Sequence, residues 1–206
     1  MIGVMVRRLR FGAPIVVVSG LPRSGTSMMM RMLEAGGVEL LQDGVRAADD
    51  SNPKGYFEYE PVKGLDKDGD VSWLPGAHGK AVKIISFLLT WLPEDHNYQV
   101  IFMHRHPDEI TLSQHAMLRA RGETVAEGDA ERSREVFRAH LSQVERFMAG
   151  RACFRVLPVA YHDVIAAPEA AAAQVAQFLG RPLDTAAMAR SVDQQLYRNR
   201  AEPASP

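Results

Sequence analysis

The stretch Pro14-Ile-Val-Val-Val-Ser19, followed at once by Gly20-Leu-Pro-Arg-Ser-Gly-Thr-Ser27, constrains the fold more than any other part of the chain. Four successive β-branched residues read as a strand that is apolar on both faces. Such strands belong in parallel sheets covered by helices on each side. The glycines then let the backbone curl, and Ser24–Ala35 reads as a helix. Met28, Met32 and Ala35 recur at helical spacing, and Gly36-Gly37 serves as the stop.

The rest of the chain repeats this alternation, which predicts a three-layer α/β fold with a mainly parallel central sheet flanked by helices. Further strands are expected at Ala81–Ile85, Gln99–His104 and Arg155–Ala160. Between and after them, helices are expected at Ser86–Trp91, Pro107–Arg121, Ala130–Ala149 and Pro168–Leu179. Pro107 suits the first helical turn, where its missing N–H costs nothing. Two stretches read as irregular: Gln42–Gly79, rich in Gly, Pro and Asp, and the polar break Arg121–Asp129. The first is long enough to suggest a lid or binding loop, part of it short helix. One domain over residues 1–200 is expected, with Ala201–Pro206 as a disordered tail.

Net charge is −1, so bulk attraction to nucleic acid or anionic membrane is not expected, and any anion site must come from local placement of Arg and Lys. The single cysteine, Cys153, allows neither an internal disulfide nor a multi-thiolate zinc site, and its apolar setting reads as a buried structural thiol. No metal-ligand cluster appears. With no secretory signal at Met1–Arg10 and no run near the roughly 20 apolar residues of a spanning helix, a soluble cytoplasmic protein is expected.

The loop nearly fits G-x-x-x-x-G-K-[ST]. Backbone N–H groups of such a loop, with the free N–H groups and positive dipole end of the next helix, form an anion nest. Arg23 adds a cation capable of bidentate contact. The departure from the pattern is informative: Thr26 stands where a nucleoside triphosphatase places lysine, so the cation on the terminal phosphates is missing. The alternative reading is a tight strand–helix turn that happens to contain glycine and serine.

On these residues the chain resembles the sulfotransferases that use 3′-phosphoadenosine 5′-phosphosulfate (PAPS), whose loop reads Pro-Lys-Ser-Gly-Thr-[ST]; here it is Pro22-Arg-Ser-Gly-Thr-Ser27. The family's second motif is an Arg at a strand end and a Ser eight residues later, matched by Arg105 and Ser113. A third stretch, Tyr161-His-Asp-Val leading to Pro168 and Phe178-Leu-Gly180, is similar to the family's Tyr-Glu-Asp-Leu…Pro…Phe-Leu-Gly. The resemblance implies a P-loop NTPase-like fold, PAPS as donor and PAP as product, and no metal. It implies that Pro22, Arg23, Ser24, Gly25, Thr26 and Ser27 hold the 5′-phosphosulfate, and that Arg105 and Ser113 hold the 3′-phosphate. Tyr161 is then a contact for the adenine, or else a partly buried tyrosine at a strand end. Arg198, with Arg200 beside it, is a further 3′-phosphate candidate, although the family's C-terminal Arg-Lys-Gly element is absent and an exposed basic tail is the alternative.

For the transfer itself, Arg23 and Lys83 are the cations expected at the sulfuryl and bridging oxygens, Lys83 matching a functional lysine of the family. Cytosolic members carry a histidine two residues after that lysine; here the position is Ile85. Asn52-Pro-Lys-Gly-Tyr-Phe-Glu58 resembles a segment in which related members place a carboxylate base, so Glu58 is the candidate base. Its aromatic neighbours Tyr56 and Phe57 suggest a desolvated setting. His78 is the second choice, and surface pairing of Glu58 the alternative to catalysis. His104 and His106 are expected to shape the nucleotide site or end the strand, and the Met28–Met32 cluster to pack the core. The acceptor is expected to be a hydroxyl or amine of a small molecule, lipid or carbohydrate. The competing readings are a P-loop kinase of a nucleoside or small metabolite, and a non-catalytic nucleotide-binding protein.

Overall fold

The all-apolar run becomes the interior of a sheet. A computed structural model describes residues 2–45, 55–120, 122 and 129–193, with β1 at Ile15–Gly20 buried at every position. Strand β1 pairs in parallel with β2 (Ala81–Lys83) on one side and with β3 (Tyr98–His104) on the other. A fourth strand, β4 (Phe154–Ala160), extends the sheet from β3, also in parallel, giving the order β2-β1-β3-β4. Pro158 lies within β4 and has no N–H to donate, which an edge strand tolerates and a central one does not.

Successive side chains of a strand point to opposite faces, and each face is covered. Ile15, Val17, Val82, Val100 and Phe102 pack with Leu88 and Leu89 of the 3-10 turn Ser86–Trp91 and with Val144 and Met148 of a long helix, Asp129–Ala149. Val16, Val18, Ile101 and Met103 face the other way, onto helices Thr26–Ala35, Pro168–Leu179 and Thr185–Arg190. In chain order the helices are α1 (Ile2–Phe11), α2 (Thr26–Ala35), α3 (Pro107–Ala120), α4 (Asp129–Ala149), α5 (Tyr161–Ala166), α6 (Pro168–Leu179) and α7 (Thr185–Arg190). The result is the expected three-layer α/β fold with an all-parallel sheet. Each fully buried Val or Ile contributes about 1.5–3 kcal/mol relative to exposure, so the two faces together anchor the strands that carry the site.

Several boundaries differ from the sequence reading. Helix α2 starts at Thr26 and not Ser24, because Gly25 takes a left-handed φ of 101° as its N-cap. Strand β2 stops at Lys83; Ile85 is extended and leads into the 3-10 turn. Helices α1, α5 and α7 were not expected, the last two having only six residues each. The irregular stretch holds two 3-10 turns, Glu60–Gly64 and Leu74–Ala77.

Topology fixes where a ligand can sit. The chain leaves β1 toward β2 by way of α2 on one face, and leaves β3 toward β4 by way of α4 on the other. The carboxyl ends of β1 and β3 therefore lie at the switch point, where open α/β sheets form their ligand crevice.

Candidate functional site

The loop after β1 is shaped by close approach. A Cβ at Gly20 would lie 2.6 Å from the carbonyl oxygen of Met103 and 2.4 Å from Ser24 Oγ. A Cβ at Gly25 would lie 2.4 Å from Cδ2 of Tyr161. Arg23 itself has φ 72°, a left-handed conformation costly for any L-residue that carries a Cβ, and the turn closes through Ser24 N–H donating to Leu21 O at 3.1 Å. No side chain caps α2, so its first turn presents backbone N–H groups that no preceding turn accepts. Thr26 and Ser24 are buried, and Ser24 Oγ has no hydrogen-bond partner among the described residues. A positive helix end, a curled loop and glycines where any side chain would collide together have the chemistry to receive an anion.

The second motif meets this loop directly. Arg105 follows β3, and Ser113 lies in the second turn of α3. Arg23 Nε donates to Ser113 Oγ at 3.0 Å, and an Arg105 terminal nitrogen donates to the Arg23 carbonyl at 3.1 Å. The guanidinium of Arg105 lies 4.5 Å over the ring of Tyr161, the first residue of α5. Thus Arg23, the Arg105–Ser113 pair and Tyr161, read from three separate parts of the sequence, converge at the ends of β1 and β3. The Tyr161 ring is buried under Gly25 and Arg105, and burial raises its phenol pKa against the opposing pull of Arg105.

Glu109 was not singled out from sequence. Its carboxylate accepts from Arg105 Nε at 2.8 Å, and both side chains are 8% exposed. The signal was present, since an acid in the first turn of a helix and four residues after an Arg is a recognisable pair. It was indistinguishable from an ordinary helix start.

On the far side of β1, Lys83 ends β2 and is buried. Its ammonium donates to the carbonyl of Tyr56 and lies 3.7 Å from Glu58, while Ser27 Oγ approaches the same carbonyl at 3.5 Å. Lys63, from the turn Glu60–Gly64, pairs with Glu58 at 3.0 Å and also with Glu60. Glu58 is half-buried, and two ammonium groups meet its carboxylate; charged neighbours, more than the aromatic residues beside it in sequence, define its setting. Phe57, with φ 51°, turns the chain between Tyr56 and Glu58.

Other candidates fall elsewhere. His78 pairs with His96 at 2.9 Å beside Gly12, at the amino ends of the strands, opposite the loop. His104 faces Glu145 at 3.9 Å, with burial lowering its pKa, and His106 faces Asp108 at 3.4 Å. Met29, Met30 and Met32 are core, and Cys153 is a buried thiol with its pKa raised by burial. Among the described residues no group of three or more His, Cys, Asp or Glu is placed to hold a metal. No described helix is long and apolar enough to cross a membrane. Arg198 and Arg200, with Asn52–Lys54 of the Glu58 motif, lie outside the described residues.

Comparison with known proteins identifies what carries such a site. None of the curated proteins matches the chain. Two solved structures share the fold. The sulfotransferase domain from the Synechococcus PCC 7002 olefin synthase is 15% identical with a TM-score of 0.54, covering 93% of this chain and 90% of that one. The sulfotransferase domain from the curacin biosynthetic pathway is 14% identical with a TM-score of 0.52, covering 94% and 93%. The sequence model of the sulfotransferase family matches residues 72–185, a span that includes Lys83, Arg105, Ser113 and Tyr161 and excludes the loop and Glu58. That match extends over more than half of the chain, which therefore belongs to the sulfotransferase family.

Proposed function

We propose that this sulfotransferase takes its sulfuryl group from PAPS and passes it to a hydroxyl or amine of a small-molecule, lipid or carbohydrate acceptor. The observation that carries this reading is the junction of Arg23, Ser113 and Arg105 at the switch point of the sheet. A loop and helix end suited to one phosphate adjoin a buried arginine suited to a second, and PAPS has a phosphate at each of the 5′ and 3′ positions. Thr26 in place of the lysine supports a 5′-phosphosulfate in preference to a triphosphate.

In this reading the backbone of Pro22–Ser27, with the hydroxyls of Thr26 and Ser27, holds the 5′-phosphosulfate. Arg105, with Ser113 nearby, holds the 3′-phosphate, and Tyr161 supports Arg105 from below. The donor supplies an activated sulfuryl group: the acceptor oxygen or nitrogen bonds to sulfur as the bond from sulfur to the bridging oxygen breaks, and PAP leaves. Arg23 and Lys83 stabilise the charge that builds on the sulfuryl and bridging oxygens, and positioning with electrostatics supplies most of the acceleration. Glu58 takes the acceptor proton. Lys83 and Lys63 hold its carboxylate from two sides in the present geometry.

Two measurements test the donor assignment. Thermal unfolding with PAP, PAPS or ATP with magnesium should show stabilisation by the first two, because a ligand that binds only the native state must raise its stability. Stabilisation by ATP with magnesium alone sinks the PAPS reading. Transfer of labelled sulfate from PAPS across a panel of alcohols, phenols, amines and sugars then identifies the acceptor.

A further inference from the structure

The buried pair of Arg105 and Glu109 has a directional consequence for the nucleotide. We propose that Glu109 is a positioning residue for Arg105: its carboxylate fixes the plane of the guanidinium and thereby sets the preference for a nucleotide bearing a 3′-phosphate. This rests on the PAPS reading and adds to it a residue that neither the loop nor the Arg–Ser motif contains.

Arginine is a long side chain with several rotatable bonds, and its planar fork recognises an anion well only when the plane is held. Among the described residues three contacts hold it here. Glu109 accepts from Nε at 2.8 Å, the Arg23 carbonyl accepts from a terminal nitrogen at 3.1 Å, and the Tyr161 ring lies 4.5 Å from the guanidinium carbon. Two of these partners are fixed by tightly constrained backbone: Arg23 sits in the left-handed loop, and Tyr161 is wedged under Gly25. Glu109 is fixed by α3, in whose first turn its negative charge is favourable to the helix dipole. A guanidinium so restrained meets an incoming phosphate without first losing rotamer freedom, which is preorganisation.

The carboxylate could not have been placed there for attraction, since it repels a phosphate. Its geometric and electrostatic effects on binding therefore have opposite signs, and substitutions separate them. Glu109→Gln keeps an acceptor oxygen at the same reach and removes the charge. Glu109→Asp keeps the charge and loses one methylene of reach. Glu109→Met removes both.

The experiment is calorimetric titration of the full chain and these variants with PAP and with AMP, which lacks the 3′-phosphate. The readout is the ratio of the two affinities. Glu109→Met is expected to lower that ratio about tenfold or more, chiefly through PAP, the scale of one charged hydrogen bond. Glu109→Gln should keep the wild-type ratio or raise it, and Glu109→Asp should fall toward the Met variant. If Gln loses the preference as fully as Met, the charge and not the reach matters and the positioning role is overturned. An unchanged ratio in the Met variant overturns it equally. If Met does not fold, the opposite expectations for Gln and Asp still decide the matter. A wild-type protein that binds PAP no better than AMP refutes the PAPS reading itself, an outcome distinct from either.

Discussion

The two halves of the site are built from different materials. The Arg23, Arg105, Ser113 and Tyr161 half stands on the ends of β1 and β3, on the loop before α2, on the first two turns of α3 and on the first residue of α5. Its central ion pair is 8% exposed on both partners. The other half joins Lys83, at the buried end of β2, to Glu58 and Lys63 of residues 55–64, where regular structure is limited to one 3-10 turn and where Lys63 is 45% exposed. They meet at Ser27 and Lys83, both of which reach the carbonyl of Tyr56. A rigid, desolvated cluster suits a ligand that never changes, the nucleotide. An irregular segment latched to it at the Tyr56 carbonyl and through the Lys83–Glu58 pair suits a partner that varies between enzymes of one fold, the acceptor. If so, substitutions in the first half should act on nucleotide binding and stability together, and those in the second on turnover alone.

Arg105→Ala should have the largest effect. It takes the guanidinium away from a buried carboxylate, a change that costs about 3–5 kcal/mol in comparable buried pairs. Urea unfolding should report that loss, and calorimetry should find PAP binding weakened about a hundredfold or more. Adding Glu109→Gln to Arg105→Ala should return most of the stability and none of the affinity. Tight PAP binding by the single variant would detach this half of the site from the nucleotide.

Glu58→Gln comes next and should split the other way. Loss of a general base costs on the order of a hundredfold in turnover, while PAP affinity should match the parent protein. Turnover at the parent rate removes Glu58 from the mechanism. Gly25→Ala returns to the first half. Its φ of 101° and the collision with Tyr161 put the cost at about 1–3 kcal/mol of stability, with weakened PAP binding alongside. Gly44→Ala, at a positive φ of 68° with open space around it, is the control: backbone strain without the collision should leave PAP binding alone.

The same division explains what could be read from sequence. β1 was legible because four β-branched residues leave few alternatives to a doubly covered strand, and Gly20 and Gly25 announced a loop whose backbone curls; that a Cβ at either would collide emerged only from the folded chain. Arg105 and Ser113 were picked out through the family resemblance, since an Arg and a Ser at that spacing are common in any strand–helix junction; the fold brings both to the Arg23 loop. Glu109 was not legible, since its partner choice depends on how deeply the first turn of α3 is buried. Lys63 was not, because nothing in residues 55–64 has the periodicity that would reveal which side chains share a side. His78 illustrates the converse: it is near Glu58 in sequence, yet the Leu74–Ala77 turn carries the chain to the amino edge of the sheet, where it meets His96. Burial patterns reveal elements; irregular segments reveal their contacts only once folded.

Lys63→Met should produce the smallest effect and the sharpest test of the division. Hydrogen bonds to Glu60 and Glu58 raise the pKa of the Lys63 ammonium above its ordinary value, with the attraction of both carboxylates adding to them. A raised folded-state value means the pairing contributes its full stability below the ordinary lysine range and loses it only as pH rises through that range. At neutral pH the contribution is therefore intact. It is also small, because a pair this exposed is screened by solvent and worth at most about 1 kcal/mol. The unfolding midpoint should barely move, and PAP affinity should not change. Turnover should fall a few-fold, because Glu58 loses a cation that orients its carboxylate, and the fall should shrink as salt is added and screens the pair in the parent protein. A Lys63→Met protein that loses PAP affinity in proportion to turnover would show that the latch at Tyr56 couples the two halves, and that residues 55–64 belong to the nucleotide site as much as to the acceptor's.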